Sequence, residues 1–177
     1  GAYSQAWSRD RYGYVIGSGR GGDAAGLPSG YRLEGLDAWG RPTERVLGNG
    51  LVDTREYHPG TGQLESVCVG LSGCGTLSLT YGYDGWGNVV TQSQGVPGVT
   101  ETLGYDALHR LVSSQRSGAT TATVGYDYAA NGNLRWKTDL TPAQPDAYVY
   151  GTSRPHAVSE VKLAGGQGRC YAYDGAG

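Results

Sequence analysis

The residues able to do chemistry are few and scattered. The chain has three histidines (His58, His109 and His156), three cysteines (Cys68, Cys74 and Cys170) and a recurring set of aspartates at Asp84, Asp106 and Asp174. No HExxH, GxSxG, CxxC or phosphate-binding loop occurs. Gly17-Ser18-Gly19-Arg20-Gly21-Gly22 matches the glycine spacing of a dinucleotide fingerprint. That chemistry needs a following helix whose N-terminus holds the pyrophosphate. Ala24-Ala25-Gly26-Leu27-Pro28 is no such helix, so the stretch reads as a flexible loop. Cys68 and Cys74 are not at a usual zinc spacing. They are placed either for a disulfide across a short hairpin, worth roughly 2 kcal/mol in the chain-entropy model, or as two reduced thiols in a loop. Cys170 makes the count odd and reads as a small packed residue on the last strand. A catalytic site needs unlike residues converging once, whereas the aspartates and histidines recur from one segment to the next. The expectation is a protein that is not an enzyme and has no cofactor and no metal.

The recurring residues are organised by turns. Tyr81-Gly82-Tyr83-Asp84-Gly85-Trp86-Gly87-Asn88-Val89-Val90 reads as strand, turn, strand. Tyr81 and Tyr83 alternate at period two, and Asp84–Gly87 suits a type I turn. Asp is favoured at the first turn position because its carboxylate accepts backbone N–H groups; Gly is favoured at the fourth, where positive φ is needed. Further copies follow at Tyr105-Asp106-Ala107-Leu108-His109, Tyr128-Ala129-Ala130-Asn131-Gly132 and Tyr173-Asp174-Gly175-Ala176-Gly177, with weaker ones at Asp37–Gly40 and Asp10–Gly13. Tyr57-His58-Pro59-Gly60-Thr61-Gly62 is a longer version in which His58 takes the Asp place. The fourth-position markers Gly13, Gly40, Gly62, Gly87, His109, Gly132, His156 and Gly177 are 21 to 27 residues apart. Such a period marks a repeat architecture, here with one hairpin per unit. His109 and His156 are thereby read as turn residues with positive φ, a conformation in which His is enriched.

Composition agrees with an all-β chain. There are 32 Gly and 14 Tyr, and no Phe or Met, among 177 residues. Net charge is -2, and Tyr and Trp supply the apolar surface of the sheet faces. Arg outnumbers Lys twelve to two, and Arg stacks well on aromatic rings. No basic block points to nucleic acid, and no apolar run is long enough for a membrane span. Leu103–Gln115 has helical periodicity when taken alone, but its alignment with the other units makes it a hairpin. Thr120–Tyr128, Leu134–Thr138, Tyr148–Tyr150, Ser159–Leu163 and Arg169–Tyr173 read as strands, and Thr141–Asp146 as a loop. Residues 1–30 are a poorly defined segment with a degenerate repeat and a Gly-rich loop. Residues 31–177 are the repeat array, which has no initiator Met and stops within its fourth full copy, as expected of a piece of something longer.

Together the Tyr-Asp-x-x-Gly-Asn-Leu units, Gly48-Asn49-Gly50-Leu51-Val52 followed by Tyr57–Leu64, and Arg154-Pro155-His156-Ala157-Val158 resemble the RHS/YD-repeat proteins. The resemblance implies a β-hairpin spiral winding into a hollow shell around a C-terminal toxin, in large bacterial polymorphic toxins that are exported or held at the cell surface. Teneurins carry a related shell. It implies as partners the remainder of the shell and the enclosed toxin; separately, a hairpin sheet with two open edges invites self-association through its unpaired N–H and C=O groups. No Asp-Pro pair occurs, so the aspartyl self-cleaving core of that family is not in this sequence. A second class competes: a carbohydrate-binding module, in which Trp39, Trp86 and Trp136 stack on sugar rings.

Overall fold

A computed structural model describes residues 5–20, 30–141 and 146–174, without the side chains of Gln5 and Arg20. Among the described residues every regular element is a β-strand, and every recorded ladder is antiparallel. The chain forms two compact units, Gly1–Thr100 and Glu101–Gly177.

The first unit holds β1 (Gln5–Arg9), β2 (Val15–Arg20), β3 (Tyr31–Leu36), β4 (Pro42–Leu47), β5 (Val52–Tyr57), β6 (Leu64–Gly70), β7 (Leu77–Tyr83) and β8 (Val89–Gln94). Each pairs with the next in chain order. Because directly opposed residues share a sheet face, the register sorts the side chains. One row runs Leu33, Arg45, Asp53, Val69, Leu77, and Val67 lies opposite Leu79 on the same face. The other face carries the row Glu44, Thr54, Cys68, Ser78 and the row Glu56, Ser66, Thr80, Ser93. Aliphatic side chains and a buried ion cluster are thus segregated from small hydroxylated ones. Asp53, 4% exposed, lies between Arg45 and Arg55.

β9 (Val99–Tyr105) runs across the boundary between the units. In the second unit β10 (Leu111–Ser117), β11 (Ala122–Tyr128) and β12 (Leu134–Lys137) form one antiparallel run. β13 (Tyr148–Tyr150), β14 (Val158–Lys162) and β15 (Gly168–Cys170) form a three-stranded sheet. Ala147 and Val161 are its buried apolar residues. Buried Thr141 caps the end of β12: its hydroxyl accepts from the Lys137 N–H at 2.9 Å and donates to the Lys137 carbonyl at 3.0 Å.

Leu103–Gln115 is a strand, a turn and a strand, as its alignment requires. Three expectations are corrected. Gly17–Arg20 is not loop but part of β2, pairing with β1 and reaching Arg32 and Tyr31 of β3; a Cβ on Gly17 would lie 2.8 Å from the Tyr31 carbonyl oxygen. The rest of that glycine stretch and Ala24–Pro28 lie outside the described residues. Cys170 is exposed rather than packed, because β15 is a sheet edge exposed along its length. β15 ends at Cys170, although the Tyr171 N–H still donates to the Ser159 carbonyl at 2.9 Å. Of the expected Thr141–Asp146 loop, residues 142–145 lie outside the described residues.

Candidate functional site

The motif residues gather at the hairpin turns. At Asp84 the backbone N–H donates to the Asn88 carbonyl at 3.0 Å, and the Gly87 N–H donates to the Asp84 carbonyl at 3.1 Å. Asp10, Asp37 and Asp106 repeat this pattern, and Ala129 repeats it without a carboxylate. The Asp side chain locks the turn from inside. Oδ1 of Asp84 accepts from the Trp86 and Asn88 N–H groups, both at 2.9 Å, and the same two bonds recur at Asp10, Asp37 and Asp106. Gly13, Gly40, Gly62, Gly87 and Gly132 have φ between 75° and 90°, and His109 has φ 59°. The recorded ladders closed by the glycine turns shift register just before the turn, as at Gly82/Tyr83 and Asp127/Tyr128, which is the bulge that a positive-φ residue permits.

Substitutes for Asp reproduce the acceptor. His58 Nδ1 takes the Gly60 and Thr61 N–H groups at 3.1 and 3.0 Å. Asn131 Oδ1 takes the Asn133 N–H at 3.1 Å. His156 departs from expectation: it does not have positive φ. Its segment closes differently, with the Ala157 N–H donating to the Arg154 carbonyl at 3.0 Å, so its fourth position needs no left-handed residue. His156 Nδ1 lies 2.7 Å from Asn133 Oδ1. Tyr105 ends β9, and Tyr173 and Asp174 follow β15, while Gly175–Gly177 lie outside the described residues.

Five of the motif tyrosines reach back to the preceding hairpin. Tyr57 Oη donates to the Pro42 carbonyl at 3.1 Å, and Tyr83 Oη to the Leu64 carbonyl at 2.7 Å. In the second unit Tyr128 donates to the Leu111 carbonyl, Tyr150 to the Leu134 carbonyl and Tyr173 to the Val158 carbonyl, at 2.9, 3.0 and 2.9 Å. In each case the acceptor opens the return strand of the hairpin before. Partial burial raises the pKa of Tyr83, Tyr128 and Tyr150, keeping each phenol protonated as a donor.

Sequence reading missed the residue after the turn marker. Arg41 Nε and Arg110 Nε donate to the turn carboxylates Asp37 and Asp106 at 2.6 and 2.7 Å, and Asn88 Nδ2 donates to Asp84 at 2.8 Å. Several of these residues also extend to the next turn: Arg41 Nη1 donates to the Gly62 carbonyl, Arg110 Nη1 to the Ala129 carbonyl at 3.4 Å, and Asn133 Nδ2 to the Pro155 carbonyl at 2.7 Å. The Arg41 guanidinium stacks between Trp39 and Tyr57, 4.8 and 4.1 Å from the ring centres, and Arg110 lies 4.8 Å from that of Tyr128. The signal available in sequence was the recurrence of Arg or Asn at that one position.

These bonds tune the carboxylates. The Asn88 side-chain amide holds Asp84 below the usual carboxylate range, and the Arg110 N–H and guanidinium do the same at Asp106. At Asp37, desolvation pushes upward but is outweighed by donors from Arg41 and Trp39, so the net shift is also downward. Among the described residues no group of three or more His, Cys, Asp or Glu could hold a metal, and no helix is long and apolar enough to cross a membrane. Trp39 and Trp86 are 67% and 82% exposed at the third turn position, whereas Trp136 is half-buried, lying over Gly125. Cys68 and Cys74 are joined as a disulfide.

No family model and no curated protein matches the sequence. Solved structures do. The crystal structure of TcdB2-TccC3 without its hypervariable C-terminal region is similar over 98% of this chain, at 18% identity and TM-score 0.51. The TcdB2-TccC3 crystal structure and the Photorhabdus luminescens Tc holotoxin pore match at 15% and 17% identity, with TM-scores of 0.48 and 0.49 over 98% and 97% of this chain. The chain spans about 12% of the length of these proteins. The first likeness shows a shared fold, an antiparallel hairpin array.

Proposed function

We propose that this chain is a wall segment of an RHS/YD-repeat shell, in an exported bacterial toxin, that keeps an enclosed toxin apart from its surroundings. The observation that carries the reading is the tyrosine link. At five motif positions the tyrosine hydroxyl is spent on the preceding hairpin rather than presented to a ligand. Repetition of one inter-hairpin bond is the requirement of a continuous wall, since a repeat array gains its stability from its neighbours. Similarity in fold to a structure of a TcdB2-TccC3 complex supports the same reading. On this reading the partners are further repeats and an enclosed polypeptide, and the segment turns over no substrate and needs no cofactor.

A second reading, binding of carbohydrate at the surface, is favoured by the exposure of Trp39 and Trp86 at equivalent turn positions. Glycan arrays separate the two: micromolar binding lost in Trp39→Ala/Trp86→Ala supports it. The shell reading is tested on the natural protein that contains this segment, by limited proteolysis with electron microscopy. Hollow particles whose cargo resists protease until the shell is denatured support it. An extended particle with an openly digestible cargo contradicts it.

A further inference from the structure

The Cys68–Cys74 bridge is a feature of the first unit that neither the turns nor the tyrosine links use. Cys68 is half-buried near the end of β6, and Cys74 is exposed in the connection to β7. The ladder beside it closes without the disulfide: Cys68 pairs with Ser78 and Val69 with Leu77, and the Thr76 N–H donates to the Val69 carbonyl at 2.9 Å. Beyond that bond the chain leaves the sheet. Leu71–Thr76 is exposed throughout, and among the described residues no recorded hydrogen bond holds Leu71–Gly75. The loop is nonetheless pressed down: the Gly73 carbonyl oxygen lies 2.1 Å from where a Cβ on buried Gly70 would stand. The sheet holds itself, and the bridge holds the loop.

We propose that Cys68–Cys74 is a redox-operated clasp, whose reduction by a dithiol or glutathione-type thiol frees the β6–β7 connection while leaving the sheet intact. The exposed sulfur takes the attack. A thiolate of the reductant bonds to Cys74 Sγ, and the electron pair of the S–S bond leaves on Cys68 Sγ, which takes a proton. A second thiol of the reductant then displaces Cys74, giving two protein thiols and one oxidised disulfide of the reductant. Leu71, 76% exposed, becomes the point at which the freed loop enters a protease. The inference is independent of the shell reading. It ties the state of the loop to the compartment: closed in oxidising surroundings, open in a reducing cytosol.

The test compares the oxidised protein, the protein in dithiothreitol, and Cys68→Ser/Cys74→Ser, by chymotrypsin cleavage mapped by mass spectrometry and by circular dichroism. Expected are cleavage after Leu71 at least about tenfold faster in the reduced and double-Ser forms, as for a locally opened segment, with an unchanged β spectrum. Hydrogen exchange should rise across 71–75 and stay low across 77–83. Equal cleavage rates, loss of the β spectrum on reduction, or alkylation of Cys68 and Cys74 before any reductant is added would each overturn the proposal.

Discussion

Most turns that close the hairpins share one carboxylate device, whereas the connections that join one hairpin to the next share no common side-chain device. The turns at Asp10, Asp37, Asp84 and Asp106 share the same carboxylate-to-amide bonds. The connections differ. Leu47–Leu51 borrows the turns' backbone closure, with Gly50 at φ 82° and Asn49 in place of the carboxylate, Val69–Thr76 is tied by Cys74 to Cys68, and Gln94–Val99 is closed by the Gly98 N–H donating to the Gln94 carbonyl at 3.0 Å. Sequence is repeated where one hairpin must bond to its neighbour, and it drifts where the chain only has to cross a gap. At Tyr83-Asp84 the two devices meet in one turn. The aspartate fixes the turn, and the tyrosine carries the fixed position to the hairpin before.

The comparison breaks most readily at the fourth turn position. Gly87 has φ 90°, whereas a side chain on Gly85 meets open space. Gly87→Val should cost on the order of 1–3 kcal/mol and Gly85→Val much less, measured by urea unfolding. Equal costs would show that the turn is not what the motif protects. Among the connections, Cys68→Ser/Cys74→Ser should lower global stability by about 2 kcal/mol through the denatured chain while leaving the turns unchanged. A larger loss would mean that connections organise the sheet as much as turns do.

Acid should sharpen the difference. Asp37, Asp84 and Asp106 have pKa values lowered by folding. A depressed folded pKa gives stability that is present above the unfolded value, about 3.9, and is lost as pH falls through the folded value. Melting temperature should drop below about pH 4. It should drop less in Asp37→Asn/Asp84→Asn/Asp106→Asn, which keeps the Oδ1 acceptors but cannot titrate. The Cys68→Ser/Cys74→Ser variant should keep the full acid slope.

The turns were legible because their signals are local. Asp and Gly three residues apart state a turn by themselves, and a fixed period outweighed the helical pattern of Leu103–Gln115, whose aligned neighbours carry Gly-Asn where it has His109-Arg110. What lay hidden depends on distant partners. Tyr83 and Leu64 are 19 residues apart, and nothing near either names the other. His156 looked like His109 in alignment, yet its turn closes on Arg154 and Ala157 and relieves the backbone of positive φ. Gly17 looked like loop because its lack of a side chain reads as flexibility, when it serves the close approach of the Tyr31 carbonyl. Trp136 shares its residue type with Trp39 and Trp86 but lies over Gly125, a placement that only the register of β11 and β12 decides.

The most direct measurement is a pair of conservative substitutions on one strand. Tyr81 and Tyr83 alternate onto the same face of β7. Tyr83 Oη donates to the Leu64 carbonyl at 2.7 Å, and Tyr81 has no recorded hydroxyl partner among the described residues. Urea unfolding of Tyr83→Phe should show a loss of about 1 kcal/mol, the usual worth of one such hydrogen bond, with Tyr81→Phe near zero. Equal losses, or a larger loss at Tyr81, would contradict the account that the motif tyrosine exists to bind one hairpin to the next.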